Sequence, residues 1–262
     1  MSFTADWLAL REPADHEARD RQLLLRAVRA AGPSPVILDL GCGTGSTVRA
    51  MRRHLPDQTE WRLVDENVDL MSLASCETGP IGQTYATNLK DLRNLPLDGV
   101  TLVTASALLD LMPEYWVRDL AALLAVPFYA ALSYDGRMSW DPADPRDERV
   151  TAAFNAHQRG DKGLGPALGP DAASKSVDLF AGAGFETIQA DSPWQLGPEA
   201  VPLHVALLEG IAEASTSAGM EEAAVWGADR IAQAPVTTCN IAHSDILALP
   251  PRAATEGRHA AD

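Results

Sequence analysis

The sequence predicts an α/β protein: a doubly wound, mostly parallel sheet of seven strands with an antiparallel last strand, and helical additions at the N-terminus and in a lid. Three observations predict it. Short apolar runs alternate with longer stretches of helical periodicity from Val36 onward, and such alternation implies right-handed crossovers and a parallel sheet. A glycine-rich turn, Gly41 to Gly45, follows the first apolar run. At 262 residues and 46% apolar content, the chain buries a full core as one domain with additions.

The elements follow in order. Pro13 suits a first helical turn, and Leu24, Ala27, Val28 and Ala31 mark one apolar face up to the stop at Gly32-Pro33. The first strand is Val36 to Leu40, followed by a helix from Ser46 to Leu55, a strand over Trp61 to Val64 and a helix from Asn67 to Ser75. Gln83 to Ala86 is a weakly patterned third strand and Val100 to Ala105 a buried fourth. Pro113 to Val126 reads as a helix with Leu120, Leu123 and Leu124 inward, and Phe128 to Ser133 as the fifth strand. From Tyr134 to Gly169 the alternation lapses into a Pro/Asp-rich turn, a short helix and the run Gly160 to Pro166, which together read as an inserted lid. A helix over Pro170 to Ala181, the strand Gly184 to Ala190, helices over Pro198 to Ser217 and Met220 to Ala234, and the last strand, Thr237 to Leu249, complete the sheet. Pro250 to Asp262 reads as a loose tail.

The glycine turn carries the chemistry. Without a Cβ at Gly41, Gly43 and Gly45, a ligand can lie directly on the peptide groups, beside the unpaired N–H donors of the helix starting at Ser46. A dinucleotide fingerprint, G-x-G-x-x-G, needs its third glycine at position 46, where this chain has Ser46. The pattern is instead D-x-G-x-G-x-G, with Asp39 two residues before Gly41. The second strand ends in Asp65-Glu66, where an acid can accept both hydroxyls of a ribose.

This pattern resembles motif I of the class I S-adenosylmethionine-dependent methyltransferases, and the resemblance runs from about Pro33 to Leu249. It implies a Rossmann-like sheet, S-adenosylmethionine as cofactor and S-adenosylhomocysteine as product. It implies that Asp39, Gly41, Cys42, Gly43 and Gly45 line the methionine part of the cofactor, that Asp65 holds the ribose and that Glu66 lies beside the adenosine. Asn88-Leu89 matches the position facing the adenine amino group, with Asp91 as competitor, and Ala105 and Ser106 would pass under the methionine. The runs Leu102 to Asp110, Ala131 to Arg137 and Phe154 to Arg159 are similar to bacterial members of unassigned substrate. The fourth strand lacks the N/D-P-P-Y/F run of DNA amino methylases and related glutamine methylases. The chain then divides into an N-terminal helical cap (1–32), a cofactor-binding half (33–133), the lid (134–169), the C-terminal half of the sheet (170–249) and the tail (250–262).

Composition bounds the partners. With 21 basic against 36 acidic residues the net charge is −15, a sign that disfavours nucleic acid and anionic membranes. Arg49, Arg52 and Arg53 cluster after the glycine turn, as a solvated helix face or a local basic patch. Cys42, Cys76 and Cys239 form no C-x-x-C pair, and His157, Asp161 and His243 have no recognisable ligand spacing, so no metal is expected. The N-terminal stretch has no apolar signal core, and the greasiest run, Leu120 to Leu132, is broken by Pro127 and falls short of the roughly 18 residues of a membrane span. A cytoplasmic monomer or homodimer acting on a small-molecule acceptor is the expectation.

A sulfonium methyl is already activated, so methyl transfer to an O, N or C nucleophile needs mainly alignment and exclusion of water. Should a base be needed, Tyr134, Asp135 and His157 lie where the lid meets the sheet edge. His157 reads more readily as a polar residue of a lid helix, and Asp135 before Gly136 as a turn former. The N-terminal segment offers Trp7, Arg11, Asp15, His16 and Arg19, of which Arg19 can pair with the cofactor carboxylate. Trp7, Asp110, Trp116 and Trp194 are the candidate acceptor-binding residues, the tryptophans as aromatic walls or as ordinary core. Two alternatives stand beside this reading: an NAD-dependent Rossmann oxidoreductase, and a module that binds S-adenosylmethionine without transferring its methyl.

Overall fold

A computed structural model of the chain describes residues 3–78 and 82–251. The expected tail beyond Pro251, and the side chain of Cys76, lie outside them. The strands are β1 (Val36–Leu40), β2 (Glu60–Asp65), β3 (Gly82–Ala86), β4 (Leu102–Ser106), β5 (Phe128–Asp141), β6 (Glu186–Asp191), β7 (Trp194–Leu196) and β8 (Thr238–Leu249). The helices are α1 (Ala5–Ala18), α2 (Arg21–Ala30), α3 (Ser46–Met51), α4 (Val68–Thr78), α5 (Glu114–Leu123), α6 (Asp147–Gln158), α7 (Ala172–Gly182), α8 (Val201–Ser217) and α9 (Glu222–Gln233).

Seven strands run in the order β3-β2-β1-β4-β5-β8-β6, and short β7 adds to β8 off this path. β1 to β5 are parallel and β8 is antiparallel to β5 and to β6, as the alternation predicts. The sheet is apolar on both faces. On one, Leu38, Leu40, Val103 and Phe128 pack under Trp116, Val117 and Leu120 of α5 and Phe180 of α7. On the other, Ile37, Leu63 and Leu102 meet Leu24 of α2, Met51 of α3 and Met71 of α4. Each fully buried side chain of this size contributes roughly 1.5–3 kcal/mol.

The structure departs from the sequence reading in four places, one of them Leu123 at the end of α5, expected inward but 40% exposed. The single helix expected from Pro13 to Ala31 is two, because Arg19 is extended (ψ 133°) and Asp20 caps α2, its Oδ1 accepting from the Leu23 N–H at 2.7 Å. Pro13 lies inside α1 rather than at its start. The fifth strand does not stop at Ser133 but continues to Asp141, so residues 134–141 are sheet and not lid. Two register irregularities against β8 permit this, since bulges bend a strand without ending its pairing. β7, where the sequence reading places no element, pairs Trp194 with Ile241 and Leu196 with Cys239.

The long β5–β8 ribbon rises past the carboxyl edge of the sheet and carries a third core. There Tyr134, Trp140, Trp194 and Ile241 pack on Leu208 and Ile211 of α8 and Trp226 of α9. Arg230, 2% exposed, ties this layer to the start of α6 through Asp147 and through the Pro142 carbonyl at 2.7 Å. At the root of the ribbon, Asp245 is fully buried and accepts from the Asp20 N–H (3.0 Å), the Tyr129 hydroxyl (3.0 Å) and the Leu132 N–H (2.9 Å). Leu132 has φ +59°, a conformation that costs about 1–3 kcal/mol and persists only where the surroundings impose it. Asp245 supplies that constraint.

Candidate active site

The glycine turn leaves β1 in the conformation its residues permit. Gly41, Gly43 and Gly45 have φ of +65°, +52° and +86°, values that a side chain makes unfavourable. A Cβ on Gly41 would lie 3.2 Å from Leu108 Cδ1, and one on Gly43 would lie 3.3 Å from Leu8 Cδ1. The turn is pinned by the Cys42 N–H donating to the Val64 carbonyl at 3.0 Å. Asp65 braces it from β2, with Oδ2 accepting from the Gly43 N–H at 2.8 Å and Oδ1 from the Asn67 N–H at 2.9 Å.

Over this turn lies a cavity of about 720 Å³, lined by Gly41 to Thr44, Asp65 to Val68, Asn88 to Lys90, Ser106 to Leu108 and, at its far end, Lys162 to Leu164. It sits across the carboxyl ends of β1, β2 and β4, where ligands bind in such sheets. α1 roofs it. Glu12 of α1 pairs with Arg49 of α3 at 2.5 Å, and Arg49 also donates to the Thr44 carbonyl at 2.6 Å. His16 Nε2 meets the Ser46 carbonyl at 3.1 Å. Of the arginine cluster after the turn, Arg49 therefore anchors the roof.

Around the cavity the expected cofactor residues divide into those on the wall and those beneath it. Gly41, Cys42, Gly43, Asp65, Glu66, Asn88, Leu89 and Ser106 line it. Asn88 donates through Nδ2 to Glu66 Oε2 at 2.9 Å, which couples the ends of β2 and β3. Asp39 lies beneath the turn, 1% exposed, with Oδ1 accepting from Thr104 Oγ1 at 2.7 Å and Oδ2 without a partner among the described residues. Burial pushes its carboxyl up to about 7 against the opposing Thr104 bond. Ala105 is buried under Ser106, and Gly45 at the start of α3 faces Ala74 of α4. Arg19 is buried below Ser106, donating from Nη2 to its hydroxyl at 2.9 Å while Nε and Nη1 have no hydrogen bond.

The candidate catalytic and acceptor residues do not converge on the cavity wall. Tyr134 is 6% exposed and donates to Asn155 Oδ1 at 2.8 Å. Asp135 builds a turn, accepting from the Arg137 N–H at 3.1 Å and from its guanidinium. His157 faces Lys162, whose Nζ donates to the His157 carbonyl at 3.2 Å. Trp116 is core, 1% exposed, its indole N–H donating to the Leu89 carbonyl at 2.7 Å. Trp194 is 3% exposed, Trp7 packs in the same third core, and neither forms part of the wall. Asp110 stands behind the wall with a buried, unpartnered Oδ1, and burial raises its carboxyl to about 6. Ring size and helical spacing suit a core tryptophan and a pocket tryptophan alike, so the pattern did not separate them.

Two groups that do line the cavity, Arg11 and Asp15, sit on α1. Asp15 is 5% exposed and accepts from Arg11 Nε (2.9 Å), Arg11 Nη2 (3.1 Å) and the Trp194 indole (3.0 Å). Lys162, from the expected lid, had no sequence signal beyond its glycine-rich neighbours. Among the described residues, no group of three or more His, Cys, Asp and Glu side chains is placed to hold a metal ion, and no helix is long and apolar enough to cross a membrane.

His243 on β8 sits between Tyr134 and Trp194, 6% exposed, and burial lowers its imidazole to about 3. Its folded value lies below the unfolded 6.5, so as pH falls the unfolded chain takes up the proton first and stability declines between about 6.5 and 3. Urea unfolding of wild type and His243→Gln at pH 7 and pH 5 should show a smaller loss in the variant. The difference approaches about 1.4 kcal/mol per pH unit below the unfolded value; parallel losses in the two proteins would refute it.

The strand order, with its parallel strands, antiparallel β8 and helices on both faces, is that of a Rossmann-like methyltransferase fold. YcgJ from Bacillus subtilis is similar, with a TM-score of 0.53 at 13% identity over 88% of this chain and 100% of that one. The cyclopropane synthase MmaA2 from Mycobacterium tuberculosis gives a TM-score of 0.50 at 14% identity, covering 94% of each chain. In sequence, a 74-residue stretch is 36% identical to the malonyl-[acyl-carrier protein] O-methyltransferase of Alcanivorax borkumensis, covering 28% of this chain and 25% of that protein. The match thus spans a quarter of the relative's length. No protein-family model matches the chain.

Proposed function

We propose that this protein is an S-adenosylmethionine-dependent methyltransferase that acts on a small-molecule acceptor by in-line displacement. The observation that carries the reading is the glycine cradle: Gly41 and Gly43 line the cavity at positive φ, and a Cβ would crowd Leu108 at the first and Leu8 at the second. The donor set suits the cofactor. The peptide groups of 41–45 would hold its methionine part, Glu66 and Asn88 would lie along its adenosine, and Asp65 has carboxylate lone pairs left for ribose hydroxyls after binding two backbone N–H groups. Arg19, with two uncommitted donors below Ser106, is the candidate partner of the cofactor carboxylate.

Bound there, the cofactor supplies a methyl group on a sulfonium leaving group. The chain's task is to orient an acceptor and keep water out, which alone is worth many orders of magnitude. α1, tied down through Glu12 and His16, closes the roof that does this. The name of the curated relative, an O-methyltransferase, agrees with transfer to oxygen.

Calorimetry at micromolar protein should show binding of S-adenosylmethionine and none of NAD; NAD binding alone would favour an oxidoreductase. Labelled methyl should pass from the cofactor to a component of a metabolite extract, and binding without such transfer would leave a non-catalytic module. Asp65→Ala should weaken the cofactor by about 1–3 kcal/mol, since it removes hydrogen bonds to the ligand and frees the Gly43 N–H of the turn. An unchanged Kd would remove Asp65 from the site. The net charge of −15 supports a reading with neither nucleic acid nor anionic membrane as partner, and the enzyme so proposed is a cytoplasmic monomer or homodimer.

A further inference from the structure

We infer that the acceptor carries an anionic group on an apolar body, and that Arg11 and Lys162 receive that group. The inference rests on the methyltransferase reading of the same cavity.

Leu8 over Gly43 and Leu108 over Gly41 flank the glycine turn. Past them the cavity wall is Leu111, Met112 and Leu164, an apolar surface. The polar side chains on that end of the wall are the Arg11–Asp15 ion pair and Lys162. Arg11, from α1, has only 11% of its side chain exposed and lies 4.9 Å over the Trp194 ring. Asp15 holds its Nε and Nη2, so the guanidinium is fixed, and Nη1 makes no hydrogen bond among the described residues. Lys162 reaches the wall from the opposite side. Its Nζ donates to the His157 carbonyl at 3.2 Å and forms no ion pair among the described residues.

The nearby carboxylates are turned to other work. Asp15 already accepts three donors, and Asp110 stands behind the wall, where its charge acts on both Arg11 and Lys162. Asp110 thereby offsets the cost of holding two cations out of water, while the hydrogens offered to a ligand belong to Arg11 and Lys162. The backbone around Lys162 is held in place. Asp161 Oδ1 accepts from the Gly163 and Gly165 N–H groups at 2.7 and 2.9 Å, and Tyr115 donates to the Leu164 carbonyl at 3.0 Å. A lysine without a carboxylate partner among the described residues, and an arginine whose Nη1 is still open, on one apolar wall favour a carboxylate or similar anion with a hydrocarbon or aromatic body. The net charge of −15 opposes anions only at long range, and salt screens that field beyond about 8 Å.

The test titrates octanoate, octylamine and 1-octanol into the full chain, with and without saturating S-adenosylhomocysteine, by calorimetry. Octanoate should bind and octylamine should not. Lys162→Ala should weaken octanoate by roughly tenfold or more, as for a lost charge-assisted bond, and Lys162→Arg should recover most of it. Equal binding of octylamine or octanol, no binding of octanoate, or an unchanged octanoate Kd in Lys162→Ala would overturn the inference. Octanoate binding that depends on Lys162 in a protein that does not bind S-adenosylhomocysteine would sustain the anion site and overturn the methyl-donor reading.

Discussion

Gly43→Val is expected to show no calorimetric binding of S-adenosylmethionine at micromolar protein. Gly43 sits at φ +52° with its N–H on Asp65, and a Cβ there meets Leu8 at 3.3 Å. Valine adds two γ-carbons to that Cβ, so the branch must enter the ligand's space or displace the α1 roof. Its backbone strain, about 1–3 kcal/mol, is separable from the loss of binding by comparison with Gly43→Ala, which carries most of the strain and less of the bulk. Thermal melts of both variants check that the fold survives. Affinity within a few fold of wild type in Gly43→Val would refute the assignment of the turn.

Asp245→Ala should cost about 3–5 kcal/mol of folding stability, the penalty of removing one side of a buried charged network. That is a large part of the 5–15 kcal/mol typical of a folded domain. The substitution strands the Tyr129 hydroxyl and the N–H groups of Asp20 and Leu132, and removes the negative charge near the Arg19 guanidinium. It also removes what holds Leu132 at positive φ, and with it the bulge that lets β5 continue above the sheet. Urea unfolding at neutral pH measures it. Asp245→Asn, which keeps an acceptor oxygen but no charge, should fall between wild type and alanine. A loss under about 1 kcal/mol in Asp245→Ala would show that the network does not carry the ribbon.

Both variants bear on how much of the protein was readable along the chain. The glycine turn and Asp65 were legible because their chemistry is local: three glycines, an acid before them and an acid one strand later lie within a single strand-helix-strand unit. The division of α1 from α2 at Asp20 was less visible, since a capping aspartate inside an amphipathic stretch also reads as a solvated helix residue. The candidate acceptor residues failed for a related reason. Trp116 and Trp194 end in the core because their indole N–H groups find partners, the Leu89 carbonyl and Asp15, that are distant in sequence. Tyr134 left the expected lid for the sheet because the pairing of β5 with β8 continues past the bulges.

By itself the sequence determined the order of strands and helices, the sheet they make and the turn on which a cofactor can lie, because periodicity and glycine spacing act over a few residues. Only the tertiary structure decided what surrounds that turn. Arg11 of α1 and Lys162 of a distant loop line one cavity, and Asp245 of the last strand braces the bulge from which β5 continues past the sheet edge. Burial and long-range pairing, which fix where a side chain points, are properties of the packed chain and have no period along it.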